Sequence, residues 1–258
     1  MLNIVVPMAG RGSRFAEVGF RDPKPLIPVH GMPMIELVIR NLTPRVPHRF
    51  TFICLREHVE AYQLDDKLRG YAPGAEVVLI DRVTAGAACT VLLARSIIDN
   101  ADPLMIANCD QWCDVSIDDY LAIMETARAD GLIMTMTADD PKWSFVRLGA
   151  DGAPVEVVEK KVVSNEATVG LYNYRHGRDF VRAADAMIAA DERVNNEFYV
   201  APVYNRVIGA GGRIALHNIG ADFAGMYGLG TPADLSRFLA HPISLQAVAR
   251  ARGVVTSP

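Results

Sequence analysis

An apolar run, Leu2–Met8, breaks into Ala9-Gly10-Arg11-Gly12-Ser13-Arg14-Phe15, and Pro23-Lys24-Pro25-Leu26 follows a short way on. Gly10 and Gly12 let the chain turn tightly and bring backbone N–H groups close to a ligand, as phosphate-cradling loops do. Arg14 adds a rigid fork of donors suited to phosphate oxygens. The two prolines around Lys24 restrict the backbone and preorganise a ligand-facing ammonium. The plainer alternatives are a strand-to-helix turn, a surface arginine and a rigid exposed proline turn.

Two familiar templates fail on spacing. A dinucleotide fingerprint needs a third glycine where Phe15 stands, and a Walker loop needs Gly-Lys-Ser/Thr. A third chemical group, Asp110, ends the apolar stretch 104–108; read structurally, it would cap a helix ahead of Asp114 and Ser116. The four cysteines, Cys54, Cys89, Cys109 and Cys113, are too few and scattered for a disulfide scaffold, and no Cys/His pair completes a zinc set. They read as free thiols of a reducing cytoplasm.

These groups need a scaffold to bring them together. Strand-like apolar runs over 2–8, 50–55, 76–80, 104–108 and 132–137 alternate with segments of helical spacing over 33–42, 57–68, 87–98 and 117–127. Ile35, Val38, Ile39 and Leu42 form one such stripe. The alternation predicts a three-layer α/β, Rossmann-like fold: a mostly parallel sheet with helices on both faces. Ligands of such sheets sit beyond the carboxyl ends of the strands, so the glycine loop, residues 84–88 and residues 108–110 share one rim. Past residue 140 the texture changes. Strands 144–148 and 155–159 flank an Asp151-Gly152 hairpin signal, 167–174 is a further strand, and helices follow over 179–190, 197–209, 232–240 and 244–252. Thr231 is the expected N-cap of the third of these. The reading is one domain over 1–258, with a nucleotide half (1–140), an acceptor half (141–240) and a short tail (241–258).

Of 258 residues, half are hydrophobic and 22% charged, ample for a core, and the net charge of -4 speaks against a protein built to grip nucleic acid. No apolar stretch reaches the ~20 residues of a membrane span, and the start lacks a signal peptide's basic leader. A soluble cytoplasmic protein, with no membrane partner, is expected, and a homodimer is the default assembly.

The run from Met8 to Phe15, with Pro23-Lys24-Pro25-Leu26-Ile27-Pro28 after it, resembles the sugar-phosphate nucleotidyltransferases (nucleoside-diphosphate-sugar pyrophosphorylases, of GT-A type). Their signature is a Gly-x-Gly-Ser/Thr-Arg loop followed by Lys-Pro-x-x-Pro. Further blocks keep the family's order: Gly31-Met32-Pro33-Met34-Ile35, Asn108-Cys109-Asp110, Val158-Glu159-Lys160, Val169-Gly170-Leu171-Tyr172 and Gly228-Leu229-Gly230-Thr231-Pro232. The resemblance implies a small antiparallel acceptor-binding lobe on the sheet. It also implies joining of a nucleoside monophosphate from an NTP to a sugar phosphate, or to a polyol or amino-alcohol phosphate, with release of pyrophosphate. Arg14, Lys24 and Asp110 would be catalytic, with Asp110 on Mg²⁺. Ala9, Gly10, Gly12, Ser13, Thr84, Gly86 and Ala87 would bind the nucleotide. Glu159, Lys160, Gly170 and Glu197 would bind the acceptor, although Asn196-Glu197-Phe198-Tyr199 reads equally as a capped helix start and Glu159-Lys160 as a solvated ion pair. Lys161 replaces a proline of the family pattern, and Gly228 stands where many members carry a second metal aspartate. Asp222 could substitute if the backbone bends back. The other readings are a GT-A glycosyltransferase, which wants a second aspartate after Asp110, and a non-catalytic sugar-nucleotide sensor.

Overall fold

In the computed structural model, residues 1–254 are described. Strands β1 (Leu2–Met8), β4 (His48–Leu55) and β5 (Glu76–Ile80) are parallel neighbours, and β6 (Leu104–Ala107) joins β1 on its other side, also parallel. The sheet continues through β11 (Glu166–Tyr174), β8 (Gly131–Thr137) and β12 (Ile214–Asp222) to β13 (Gly225–Gly228) and β7 (Gln111–Cys113). Central β11 runs against both of its neighbours, whereas β8 and β12 are parallel. The hairpin β9 (Ser144–Leu148) and β10 (Pro154–Glu159) branches off β11, forming the antiparallel lobe; β2 (Pro28–Val29) and β3 (Met32–Pro33) form a separate small ladder.

The near-continuous apolar strands are explained by burial on both faces. On β1, Ile4, Val6 and Met8 pack with Ile35, Val38, Ile39 and Leu42 of the helix Met34–Leu42, the stripe expected from spacing. Val5 points the other way, into a cluster with Val91, Ile98, Phe180 and Val203. Period-two alternation thus feeds two cores from one strand. Exposed strand edges are managed by side chains that imitate a backbone. Asn41 pairs with both the N–H and C=O of Cys113 at 2.9 Å each, and Asn205 does the same for Val157 at 2.7 and 2.9 Å.

Three helical expectations are corrected. The segment 57–68 holds two helices, Arg56–Tyr62 and Leu64–Tyr71, broken at Gln63 with φ 50°. Val59 and Leu64 lie five apart, off the 3.6-residue stripe, so the break resets the helical phase and buries both. The segment 87–98 is interrupted by a 3₁₀ turn, Leu92–Ala94. Residues 197–200 are not helical: helix resumes with a 3₁₀ turn, Ala201–Val203, and Tyr204–Gly209. Pro202 lacks an N–H and is tolerated in a first turn, so no helix runs through it. Thr231 caps Pro232–Ala240 as expected, accepting from the Asp234 N–H at 3.1 Å. The tail holds the helix Ile243–Ala251, and its last four positions lie outside the described residues.

Candidate functional site

At the carboxyl end of β1, Gly12 takes a left-handed conformation (φ 64°) that starts the short helix Ser13–Glu17. A Cβ on Gly12 would stand 3.2 Å from the Lys24 Cβ, so the glycine lets the loop lie against the lysine. Pro25 shapes a 3₁₀ turn, Lys24–Leu26, from which the Lys24 Nζ donates to the Asp110 Oδ2 at 2.6 Å. Asp110 leaves the end of β6, next to β1 in the sheet; its C=O accepts from the Leu229 N–H at 2.8 Å. The capping alternative is overturned, because Ser116 caps the helix Ile117–Thr126. Pro7, Met8, Gly10, Lys24, Asn108 and Asp110 line a cavity of about 210 Å³ here; Ala9 is buried and Ser13 and Arg14 are exposed, and none of these three is in the lining.

The electrostatics fit a site that meets anions. Burial opposes the Lys24 ammonium most, yet the charge of Asp110, the neighbouring Cys109 and the hydrogen bond to Asp110 together outweigh it, and the lysine is held above its ordinary value despite repulsion from Arg14. Arg14 and Lys24 are therefore close enough to feel one another. The Cys109 thiol, which also lines the cavity, is pushed up to about 11 by burial and stays protonated at neutral pH.

Residues 84–88 and 194–199 meet directly. The Thr84 Oγ1 donates to the Gly86 C=O at 2.8 Å and lies 2.6 Å from the Thr90 Oγ1, so this hydroxyl organises its own loop. The Phe198 N–H donates to the Ala85 C=O at 2.9 Å, and the Ala88 N–H donates to the Phe198 C=O at 3.0 Å; Ala87 lies between them, half-buried. Instead of a helix start, Asn195 (φ 48°) and Asn196 (φ 64°) form a two-residue turn closed by paired Val194 and Glu197 backbone bonds of 3.0 Å. Positive φ at both central residues is type I′ geometry, for which asparagine is among the favoured residues. The Asn-Asn pair ahead of Pro202 was the signal that sequence reasoning passed over. Arg193, whose guanidinium lies 4.3 Å from the Phe198 ring centroid, carries no signal in the sequence, whereas Asn108, placed at the rim from its sequence position, is exposed in the cavity.

At the base of the antiparallel lobe, Glu159 is buried at the end of β10 and accepts from the Ser144 hydroxyl; burial raises its carboxyl above the usual range. Lys160 has φ 55° and donates to the Tyr199 hydroxyl at 2.5 Å, its Nζ 4.6 Å from that ring's centroid. The Lys160–Tyr199 bond brings the segment 197–199 to the end of β10, where Glu159 adjoins Lys160. Gly170 (φ 82°) sits in a bulge of β11, where its C=O accepts from the Asn108 N–H at 3.1 Å. A Cβ there would stand 2.1 Å from the Asn108 Nδ2. The bulge and its glycine thus bring β11 against the cavity wall at Asn108. A groove of about 1320 Å³ is lined by β10, including Glu159, with Arg193 and residues 209–212; neither Lys24 nor Asp110 is in its lining.

Asp110 offers a hard carboxylate oxygen at the cavity, and Gly230 keeps the adjoining space open, since a Cβ there would stand 2.8 Å from the Asp110 Oδ2. Asp222 faces Arg237 at 3.5 Å and is absent from the cavity lining; the carboxylate beside Gly228 is that of Asp234, 3.9 Å from where a Cβ would be. Among the described residues no three His, Cys, Asp or Glu groups cluster for a metal. One carboxylate with substrate phosphates and water suits an ion that keeps much of its hydration shell, so the residues fit Mg²⁺ as a substrate-borne ion.

A parallel-centred sheet with one reversed inner strand, helices on both faces and a glycine loop against a lysine–aspartate pair defines a GT-A-like α/β fold. Residues 4–198 match the Nucleotidyl transferase family, and the chain belongs to it. It is 24% identical over 181 residues to the "Bifunctional protein GlmU" of Methanococcus maripaludis, a match covering 68% of this chain and 40% of that protein. The chain thus spans less than half the length of that curated relative. Among solved structures, the nucleoside-diphosphate-sugar pyrophosphorylase from Vibrio cholerae RC9 superposes with a TM-score of 0.79 at 24% identity, covering 92% of this chain and 100% of that one. The inositol-1-phosphate CTP transferase from T. maritima superposes at 0.70 with 13% identity, covering 98% and 97%. No helix among the described residues is long and apolar enough to cross a membrane.

Proposed function

We propose that this protein joins the nucleoside monophosphate of an NTP to a sugar phosphate, or to a polyol or amino-alcohol phosphate, and releases pyrophosphate. The observation that carries the reading is the Lys24–Asp110 pair at 2.6 Å beside the glycine loop, where that loop and Asp110 follow the ends of the neighbouring parallel strands β1 and β6. The neighbours' names support the breadth left open, since one acts on nucleoside-diphosphate sugars and another on inositol phosphate and CTP. A precursor role in surface-polysaccharide synthesis, with a cytoplasmic homodimer as the assembly, completes the proposal.

The chemistry asks little of acid–base groups. The acceptor phosphate is already an anion at neutral pH, so attack on the α-phosphorus needs no general base. Catalysis reduces to in-line positioning and neutralisation of the charge that builds on phosphate oxygens. The amides of the 10–13 loop and Arg14 would bind the departing β,γ-phosphates, and Lys24 the α-phosphate. Asp110 holds Lys24 charged and aimed, and would hold Mg²⁺ together with the triphosphate; when bound, that ion supplies charge neutralisation. Glu159, Lys160, Gly170 and Glu197 would bind the acceptor across the β11 bulge. The test is pyrophosphate release for each NTP against a panel of acceptor phosphates with Mg²⁺ present. Release with one pair supports the reading, and silence for every pair from folded protein overturns it.

A further inference from the structure

The loop 84–88 and the turn 194–197 are halves of one hydrogen-bonded unit. Phe198 joins them through two main-chain bonds, to Ala85 at 2.9 Å and from Ala88 at 3.0 Å. Gly86 lies directly beneath that join. A Cβ on Gly86 would stand 2.4 Å from the Phe198 O and 2.5 Å from its N, both backbone atoms that a rotamer change cannot move aside. Its φ of 137° is further closed to L side chains. On the far side of Phe198, the Asn195–Asn196 turn fixes the backbone of Glu197 through its paired bonds with Val194, and the buried Phe198 ring is covered by Arg193. Three left-handed non-glycine residues, Lys160, Asn195 and Asn196, therefore converge on the neighbourhood of Glu159 and Glu197. Such conformations are retained where surrounding structure over-determines them, characteristically at ligand sites.

We propose that Gly86 is a positioning residue for the acceptor phosphate, acting through Phe198 on the 194–197 turn, and that this turn determines acceptor specificity. The proposal rests on the acceptor reading of Glu159 and Glu197 given above. It moves Gly86 from the nucleotide's contacts to the acceptor's scaffold.

Gly86→Ala tests it in the full-length chain. The expected result is a rise of about tenfold or more in KM for the acceptor phosphate, while NTP binding without acceptor changes by less than about threefold. The Phe198 amide should lose hydrogen-exchange protection in the same variant. Asn196→Ala, which keeps an L side chain in the left-handed turn, should reproduce the acceptor defect, and Asn196→Gly should restore it. The Asn196 pair decides the matter if Gly86→Ala does not fold. Weakened NTP binding with an unchanged acceptor KM overturns the proposal, as does equal behaviour of the two Asn196 variants. If the wild type releases no pyrophosphate with any pair, the functional reading falls by itself. Unchanged Phe198 exchange in Gly86→Ala then still refutes the clasp, and lost protection still supports it.

Discussion

Asp110→Asn isolates the charge of the Lys24–Asp110 pair, because asparagine keeps the shape and one acceptor oxygen. At 2.6 Å and an effective dielectric of about 20, the gross attraction is ~6 kcal/mol. Desolvation of both groups cancels most of it. Exposed pairs net about 0–1 kcal/mol, whereas breaking a fully buried pair from one side costs roughly 3–5 kcal/mol. The two side chains are 21% and 25% exposed, so a coupling of about 2 kcal/mol is expected. The pH signature follows from signs. Lys24 is held above its ordinary value, so its contribution is fully present below the unfolded lysine pKa of about 10.4 and is lost only as pH rises through the raised value. Wild-type stability should therefore show no Lys24 titration between about pH 6 and 9. Without Asp110, burial and Arg14 push the ammonium below its ordinary value, and stability should instead climb as pH rises toward about 10.4. The assay is urea unfolding of wild type, Asp110→Asn, Lys24→Met and the double variant at three pH values. A coupling under about 0.3 kcal/mol with a flat pH profile in Asp110→Asn would refute the reasoning, since the pair would then be a solvated contact.

Three further outcomes are expected. Arg14→Ala should cut kcat/KM by about 10²-fold or more, yet leave urea stability within ~0.5 kcal/mol because the side chain is exposed; a matching stability loss counts against a phosphate role. Gly170→Ala places a Cβ 2.1 Å from the Asn108 Nδ2 at a left-handed φ of 82°, and should cost roughly 1–3 kcal/mol by thermal melts together with activity. Glu159→Gln should raise the melting temperature at pH 7 while raising the acceptor KM. Burial disfavours the ionised carboxylate, so its charge subtracts stability above the raised value and the penalty is relieved as pH falls; a drop in melting temperature contradicts this.

Local chemistry and periodicity were enough to read much of this molecule from its residues. Two-faced apolar strands and the 35-38-39-42 stripe imposed the layered α/β sheet, because each strand side chain has only two faces to choose from. Glycines 10 and 12, Arg14 and a proline-held Lys24 suggested the phosphate chemistry proposed above, and Thr231 before Pro232 marked a helix start. What spacing could not carry was phase and long-range partnership. Val59 and Leu64 are buried together only because Gln63 breaks the helix between them, and the short strands β7 and β13 exist only as partners of one another and of β12. The Lys24–Asp110 pair spans 86 positions of chain, and the Phe198 clasp joins segments more than a hundred residues apart. Residue types along a chain determine which groups can hold phosphate. Which carboxylate meets which lysine, and which loop supports which, is decided by non-local packing, since those contacts form only when distant strands have already closed into one sheet.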